Sequence, residues 1–363
     1  LAEGYANLEW IKTDKEIDIV SLNKQTEELL AKTTSANEAK QILQKFINSF
    51  KDPHLRIREI SSNFTNNETL SFSADSTGNK VCSTLGYRNR SKKFSLPFES
   101  LPNFRQIGTE KDLFPMGLLK INNEKQFGVL RIALFSPNSY AENCEEAWEE
   151  FRKTFTNSCN NECLDNFSEL VANRLLAKLS EQLVDLQKNK VEGLIVDVGG
   201  NGGGSNWVEP VARIISPKPL QASRLGFVRH QHWVKILENR LKLVTENLLK
   251  KDLTKKQVEY LEFARKQLEQ MIKEANLPCD KSNFWTTESN PKECSRLNAT
   301  PLFASGIFPN LPITEIQNLK SKTVLFSPSE FVYPESVFKG KVIVLVDKNT
   351  ASSAEYFAAL LQD

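Results

Sequence analysis

Apolar side chains recur at helical spacing through the start of the chain: Ile17, Ile19, Leu22, Leu29 and Leu30, then Ala39, Ile42, Leu43, Phe46 and Ile47. This periodicity predicts two or more amphipathic helices. Ser35 stands three residues before Glu38, the spacing of a capping box at the start of the second run. Asp52-Pro53 predicts its end, because proline disfavours helical geometry in the residue before it. Short β-forming runs follow at 55–60 and 70–72, between turns rich in Asn, Ser and Thr.

From Gln126 the period changes. Residues 127–135 form a strongly β-forming run, and a long helical stretch follows, broken near 159–161. Leu175 to Leu186 carries apolar residues at helical spacing. Two almost wholly apolar runs, 193–198 and 341–346, have the composition of buried strands, and the second leads into a helix starting near Ser352. Between them, residues 233–275 are rich in Lys, Glu and Leu at helical spacing and read as an inserted helical hairpin. Strands alternating with helices predict an α/β core.

Composition narrows the function classes. The chain has 363 residues, 40% hydrophobic and 25% charged, enough for a large core in two or three units. A formal net charge of +2 gives no electrostatic case for nucleic acid or an anionic membrane as partner. No apolar run approaches the roughly 20 residues that cross a bilayer, so no transmembrane segment is expected. The six cysteines are Cys82, Cys144, Cys159, Cys163, Cys279 and Cys294. They form no Cys-x-x-Cys pair, and their polar surroundings fit disulfides in an oxidising compartment, with Cys279–Cys294 the pair most expected. Reduced, buried thiols are the other reading. Asn-x-Ser/Thr tripeptides stand at Asn63, Asn67, Asn89, Asn166 and Asn298.

Four constellations could carry chemistry. The first runs from Asp197 to Gly204, Asp-Val-Gly-Gly-Asn-Gly-Gly-Gly, at the end of a predicted buried strand. Its glycines permit close backbone approach and suit either a turn or an anion or oxyanion cradle, while the spacing fits no dinucleotide fingerprint or P-loop. The second, from Asn349 to Glu355, places Ser352 at a strand-to-helix turn, where it can be an N-cap paired with Glu355 or an exposed nucleophile. The third is His54, in a turn after the first helices, either a solvated residue or a general base. The fourth is His230-Gln231-His232, read as one face of a strand. Arg224, Arg229 and Lys235 crowd it with positive charge and no third ligand stands out, so no metal is expected.

Taken together, the strand 193–198 with its glycine cluster, and the strand 341–346 followed by Thr350-Ala351-Ser352-Ser353-Ala354-Glu355, resemble the C-terminal-processing peptidases of family S41. The resemblance implies a crotonase/ClpP-like α/β core with an N-terminal helical lobe and a helical insertion. It implies Ser352 as nucleophile, the backbone N–H groups of Gly203 and Ser353 as oxyanion hole, and no cofactor. It implies a protein or peptide as substrate and, with the cysteines, a secreted or periplasmic location. The family's usual base is a lysine some way after the serine, expected beyond Asp363, so a chain ending there is expected to be inactive. A subset of relatives uses a histidine from an Asp-x-His segment, which Asp52-Pro53-His54 resembles. Residues 60–120 lack the peptide-binding PDZ module of many relatives.

The expected organisation is a helical lobe (1–58), a small β-rich segment (59–125), the core's first part (126–217), the helical insertion (218–299) and the core's second part (300–363). Two rivals stand beside the peptidase reading. One is a non-catalytic binding or scaffold relative. The other is an acyl-CoA enzyme of the crotonase type.

Overall fold

The structure, a computed structural model, describes residues 5–52, 54–57, 70–90, 94–109, 112–122, 125–156, 158–218, 220, 223–277, 298–303 and 336–362. The expected Cys279–Cys294 pair, Asn63 and Asn67 lie outside them. Three helices open the chain: α1 (Leu8–Thr13), α2 (Ile19–Leu30) and α3 (Ala36–Ser49). Then come β1 (Phe72–Ser73), α4 (Gly78–Thr84), β2 (Phe104–Ile107), β3 (Met116–Lys120), β4 (Gln126–Arg131), α5 (Ala141–Phe151), β5 (Ser158–Cys159) and α6 (Asn161–Gln187). The remaining elements are β6 (Gly193–Asp197), α7 (Val208–Ile215), β7 (Arg224–Leu225), α8 (Gln231–Leu248), α9 (Lys255–Ala275), β8 (Leu302–Phe303), β9 (Lys341–Leu345) and α10 (Ser353–Leu360). The chain divides into two compact units.

The first unit comprises residues 1–68, 224–249 and 261–302. Its N-terminal helices bury Leu8, Ile11, Ile19, Phe46 and Phe50 in one cluster. Of the positions the helical period selects, Ile19 and Phe46 are buried there, Ile17, Leu22 and Ile47 pack against it, and Leu29 and Leu43 are exposed. Phe46 and Phe50 meet edge-to-face at 5.2 Å. Ser35 caps α3 by accepting from the Glu38 N–H. Glu38, however, accepts from Thr33 Oγ1 at 2.5 Å, so the predicted box closes one residue pair further out. Residues 55–57 of the first predicted β run form no strand, and the second run yields only β1, in the other unit. The predicted helical hairpin is present as α8 and α9, with Gln231 Nε2 donating to Asn276 Oδ1 across their ends. The strand expected at His230–His232 is instead a helix start: His230 caps α8 by accepting from the His232 N–H. Asn298 is buried here, and its Nδ2 donates to the Met271 carbonyl.

The second unit comprises residues 69–223, 250–260 and 303–363. It is built on a mixed five-stranded sheet in the order β2-β3-β4-β6-β9. The β2–β3 and β3–β4 pairs are antiparallel, and β4, β6 and β9 run parallel. Every residue of β6 is buried, as a parallel strand next to the sheet's middle demands. One core joins the inner face of the sheet with α6 (Leu175, Leu179, Leu183), α7 and α10. A second cluster surrounds the fully buried Trp148 and holds the Cys82–Cys144 disulfide, which links α4 to α5. Cys159–Cys163 closes a short loop at the start of α6.

Candidate active site

Two parallel strands deliver the residues of the second unit's site. Beta-strand 6 ends at Asp197, and the glycine loop follows; β9 ends at Leu345, and the serine loop follows, so pairing of Asp197 with Leu345 sets the two loops side by side. Three further contacts fix them. The Ala351 N–H donates to Asn201 O at 3.0 Å, Thr350 Oγ1 donates to Val198 O at 3.1 Å, and the Gly200 N–H donates to Asp347 Oδ1 at 2.9 Å.

Ser352 sits at the turn into α10 with φ 55° and ψ −123°. An L-residue with a Cβ is disfavoured there by about 1–3 kcal/mol, and such strain persists only where the surroundings over-determine it. They do so here. The Ser352 N–H donates to Glu355 Oε2 at 2.6 Å, and Ser352 O accepts the helix bond from the Tyr356 N–H at 3.0 Å. Phe357, on the buried face of α10, holds the helix against Phe135 at 5.0 Å. Glu355 thus takes the capping role the sequence suggested. The serine itself is exposed.

Gly203 faces the serine directly. It has φ +94°, and a Cβ there would lie 2.8 Å from Ser352 Cβ and 2.9 Å from the Ser353 nitrogen. Its N–H donates to Asn201 Oδ1 at 2.8 Å. The Ser353 N–H finds no acceptor among the described residues. Asn201 is wholly buried, and its Nδ2 donates to Ile132 O at 2.8 Å. Gly204 lies against the Phe135 backbone, where a Cβ would come within 2.4 Å.

A charged layer supports these loops. Asp197 is fully buried and accepts from the Gly199 N–H and from Arg131 Nε, both at 2.9 Å. Burial pushes its carboxyl up, against the pull of those two donors, and the nearby charge of Asp347 adds to the push. Asp347 is held well below the ordinary carboxylate range, first by the Ser95 hydroxyl and then by the Gly200 N–H. Arg131 also donates to Glu99 Oε1 and Leu96 O and stacks over the Phe94 ring. Asn201, Asp347, Arg131 and Ser95 were not singled out as site residues from the sequence. The visible signal was a charge within or just after each apolar run: Arg131 inside 127–135, Asp197 inside 193–198, and Asp347 directly after 341–346.

His54 belongs to the first unit. Asp52 Oδ1 accepts from the His54 N–H at 2.8 Å and lies 3.1 Å from His54 Nδ1, while Tyr5 Oη donates to Asp52 Oδ2 at 2.6 Å. The imidazole is 81% exposed and Asp52 is largely covered. Thus the structure brings together Ser352, Ser353 and Gly203 in one unit and His54 with Asp52 in the other. Among the described residues no cluster of His, Cys, Asp and Glu has the geometry to hold a metal ion.

A mixed α/β sheet carrying a strained serine at a strand-to-helix turn, beside a glycine loop, is an architecture suited to acyl-transfer chemistry. The chain belongs to peptidase family S41, whose model matches residues 163–363. Among solved structures it is similar to mature CPAF, at 13% identity and TM-score 0.45, over 100% of this chain and 79% of that one. It is similar also to mature CPAF complexed with lactacystin, at 13% identity and TM-score 0.45, over 100% and 80% of the two chains. No curated protein sequence matches the chain.

Proposed function

We propose that the protein is a serine endopeptidase with a crotonase/ClpP-like core, hydrolysing peptide bonds through an acyl-enzyme on Ser352. The observation that carries this reading is the backbone of Ser352. A capping serine has no need of φ 55° and ψ −123°, whereas a nucleophile presented at the tip of a strand-to-helix turn does. Ser352 Oγ attacks the substrate carbonyl as its proton passes to a base. The C–N bond then breaks, the leaving amine takes the proton, and water releases the acyl group.

The Ser353 N–H is free to stabilise the oxyanion, at about 2.7–4 kcal/mol for a well-placed donor. Gly203 is the second donor, and its N–H must leave Asn201 Oδ1 to serve. The base is either His54 or a residue after Asp363. With Nδ1–H donated to Asp52, His54 would leave its Nε2 lone pair to accept a proton, the tautomer a triad histidine needs. None of these steps uses a cofactor. The two disulfides, and the lack of a membrane-crossing helix among the described residues, are compatible with an extracellular or periplasmic protein.

The test is cleavage of unfolded casein by the full-length protein beside Ser352→Ala and His54→Ala. Loss of activity in both variants supports the whole reading. A dead Ser352→Ala with an active His54→Ala keeps the nucleophile and moves the base to a lysine after residue 363. An unmutated protein that cuts nothing overturns the reading in favour of a binding or scaffold protein.

A further inference from the structure

We propose that Tyr5 is a positioning residue for catalysis, acting on His54 through Asp52; the inference rests on His54 being the base. The hydrogen-bond chain is continuous: Tyr5 Oη to Asp52 Oδ2 at 2.6 Å, and Asp52 Oδ1 to His54 Nδ1 at 3.1 Å. The two carboxylate oxygens are divided between the two partners. An imidazole 81% exposed has no packing of its own to fix its ring, so its orientation depends on Asp52. Asp52 depends in turn on what holds its second oxygen.

That holder is built into the core of the N-terminal helices. The Tyr5 ring packs edge-to-face on the fully buried Phe50 at 6.0 Å and joins the cluster of Leu8, Ile11 and Phe46. Phe50 is also the residue that ends α3. Lys51 follows with φ 52°, a left-handed turn that a β-carbon tolerates poorly, and directs the chain to Asp52. The Tyr5–Phe50 contact therefore ties the tyrosine to the residue that leads, through Lys51, to Asp52. Among the described residues, Asp52 meets the Tyr5 hydroxyl, the His54 ring and the His54 N–H. Burial raises the Asp52 carboxyl, but these donors together bring it below its ordinary value, so it stays an anion while Tyr5, pushed up by burial, stays a donor. Without Tyr5, Asp52 would keep its Asx turn onto the His54 N–H but lose the constraint on its carboxylate plane.

The experiment compares Tyr5→Phe, Asp52→Asn, the double variant and His54→Ala in the full-length protein. It reads kcat and KM on a quenched fluorescent peptide, melting temperature, and the ¹⁵N resonances of His54 in a Ser352→Ala background. Tyr5→Phe retains the ring on Phe50 and removes only the hydroxyl. The expected results are a fall of about three- to tenfold in kcat with KM unchanged, and a His54 signal spread over both tautomers instead of the Nδ1–H form. Asp52→Asn should cost about a hundredfold or more, and adding Tyr5→Phe to it should cost nothing further, because both act through one carboxylate. An inactive His54→Ala with unchanged kcat and tautomer in Tyr5→Phe overturns this inference alone. So does a fall in rate that follows only the melting temperature. A fully active His54→Ala instead overturns the choice of base, and the role of Tyr5 with it.

Discussion

The α-carbon of Gly203 lies so close to Ser352 that a β-carbon on the glycine would stand 2.8 Å from that of the serine. The same methyl would meet Ala351 O at 2.7 Å and the Ser353 nitrogen at 2.9 Å, and both are backbone atoms that cannot swing aside. With φ at +94°, alanine is disfavoured here before any contact is counted. Gly203→Ala should therefore push the serine loop from the glycine loop. The expected outcome is a loss of stability of about 1–3 kcal/mol by urea unfolding, with peptidase activity reduced at least a hundredfold. Near-normal turnover would mean that the two loops need not touch for chemistry.

The strain at Ser352 predicts a difference between two inactive variants. Alanine keeps the β-carbon and so keeps the cost of φ 55°, whereas glycine reaches that region without it. Ser352→Gly should be more stable than Ser352→Ala by more than the roughly 1 kcal/mol by which glycine already outranks alanine at a helix N-cap. Equal unfolding midpoints would show that the turn relaxes once the hydroxyl is gone.

Asp347 gives a pH signature. Its carboxyl is lowered, first by the Ser95 hydroxyl and then by the Gly200 N–H, so the folded state binds its proton less readily than the unfolded chain. Its stabilisation is complete above the ordinary carboxylate value, about 3.9, and is lost as pH falls below it toward the folded value. Asp347→Asn should flatten the loss of stability between about pH 4 and pH 2. It should also lower activity at neutral pH, because Gly200 and Thr350 lose a shared anionic acceptor. An unchanged acid limb in the variant would assign the acid sensitivity to other carboxylates.

Much of the framework could be read from the residues, and the reason is physical. The run at β6 is uninterrupted because that parallel strand is covered on both faces, and the N-terminal helices show their period because only one face is covered. The equally apolar run at β9 misled: among the described residues it has a strand partner on one side only, no residue of it is fully buried, and Ile343 is 46% exposed. The serine and glycine loops were visible because strand ends and glycines punctuate sequence. What escaped was whatever depends on long-range pairing. Nothing local marks Cys82 for Cys144, 62 residues away. Nor does anything local commit the Gly203 N–H to Asn201, or set Ser352 at positive φ, since serine is not a residue that seeks that region. His230-Gln231-His232 misled because a dipeptide spacing of two suits a strand face and a helix cap equally.

The buried pair beneath the glycine loop makes the last prediction. Asp197 has no exposure, and its carboxylate rests on one backbone N–H and on Arg131, whose side chain is itself 4% exposed. Arg131→Met keeps an unbranched apolar side chain but removes the guanidinium that stacks on Phe94, and leaves Asp197 charged and unpaired, at a cost of about 3–5 kcal/mol. The sign with pH follows from burial, which already raises this carboxyl. A raised folded value means the penalty grows as pH rises above the unfolded value and is absent below it. The variant should therefore differ most from the unmutated protein at neutral pH and approach it toward about pH 4. Arg131→Met with Asp197→Asn should recover part of the loss, because a neutral amide is cheaper to bury than an unpaired anion. Urea unfolding at the two pH values measures both effects. A gap that stays constant with pH would show that Arg131 acts through packing on Phe94 and Phe98 rather than through its charge.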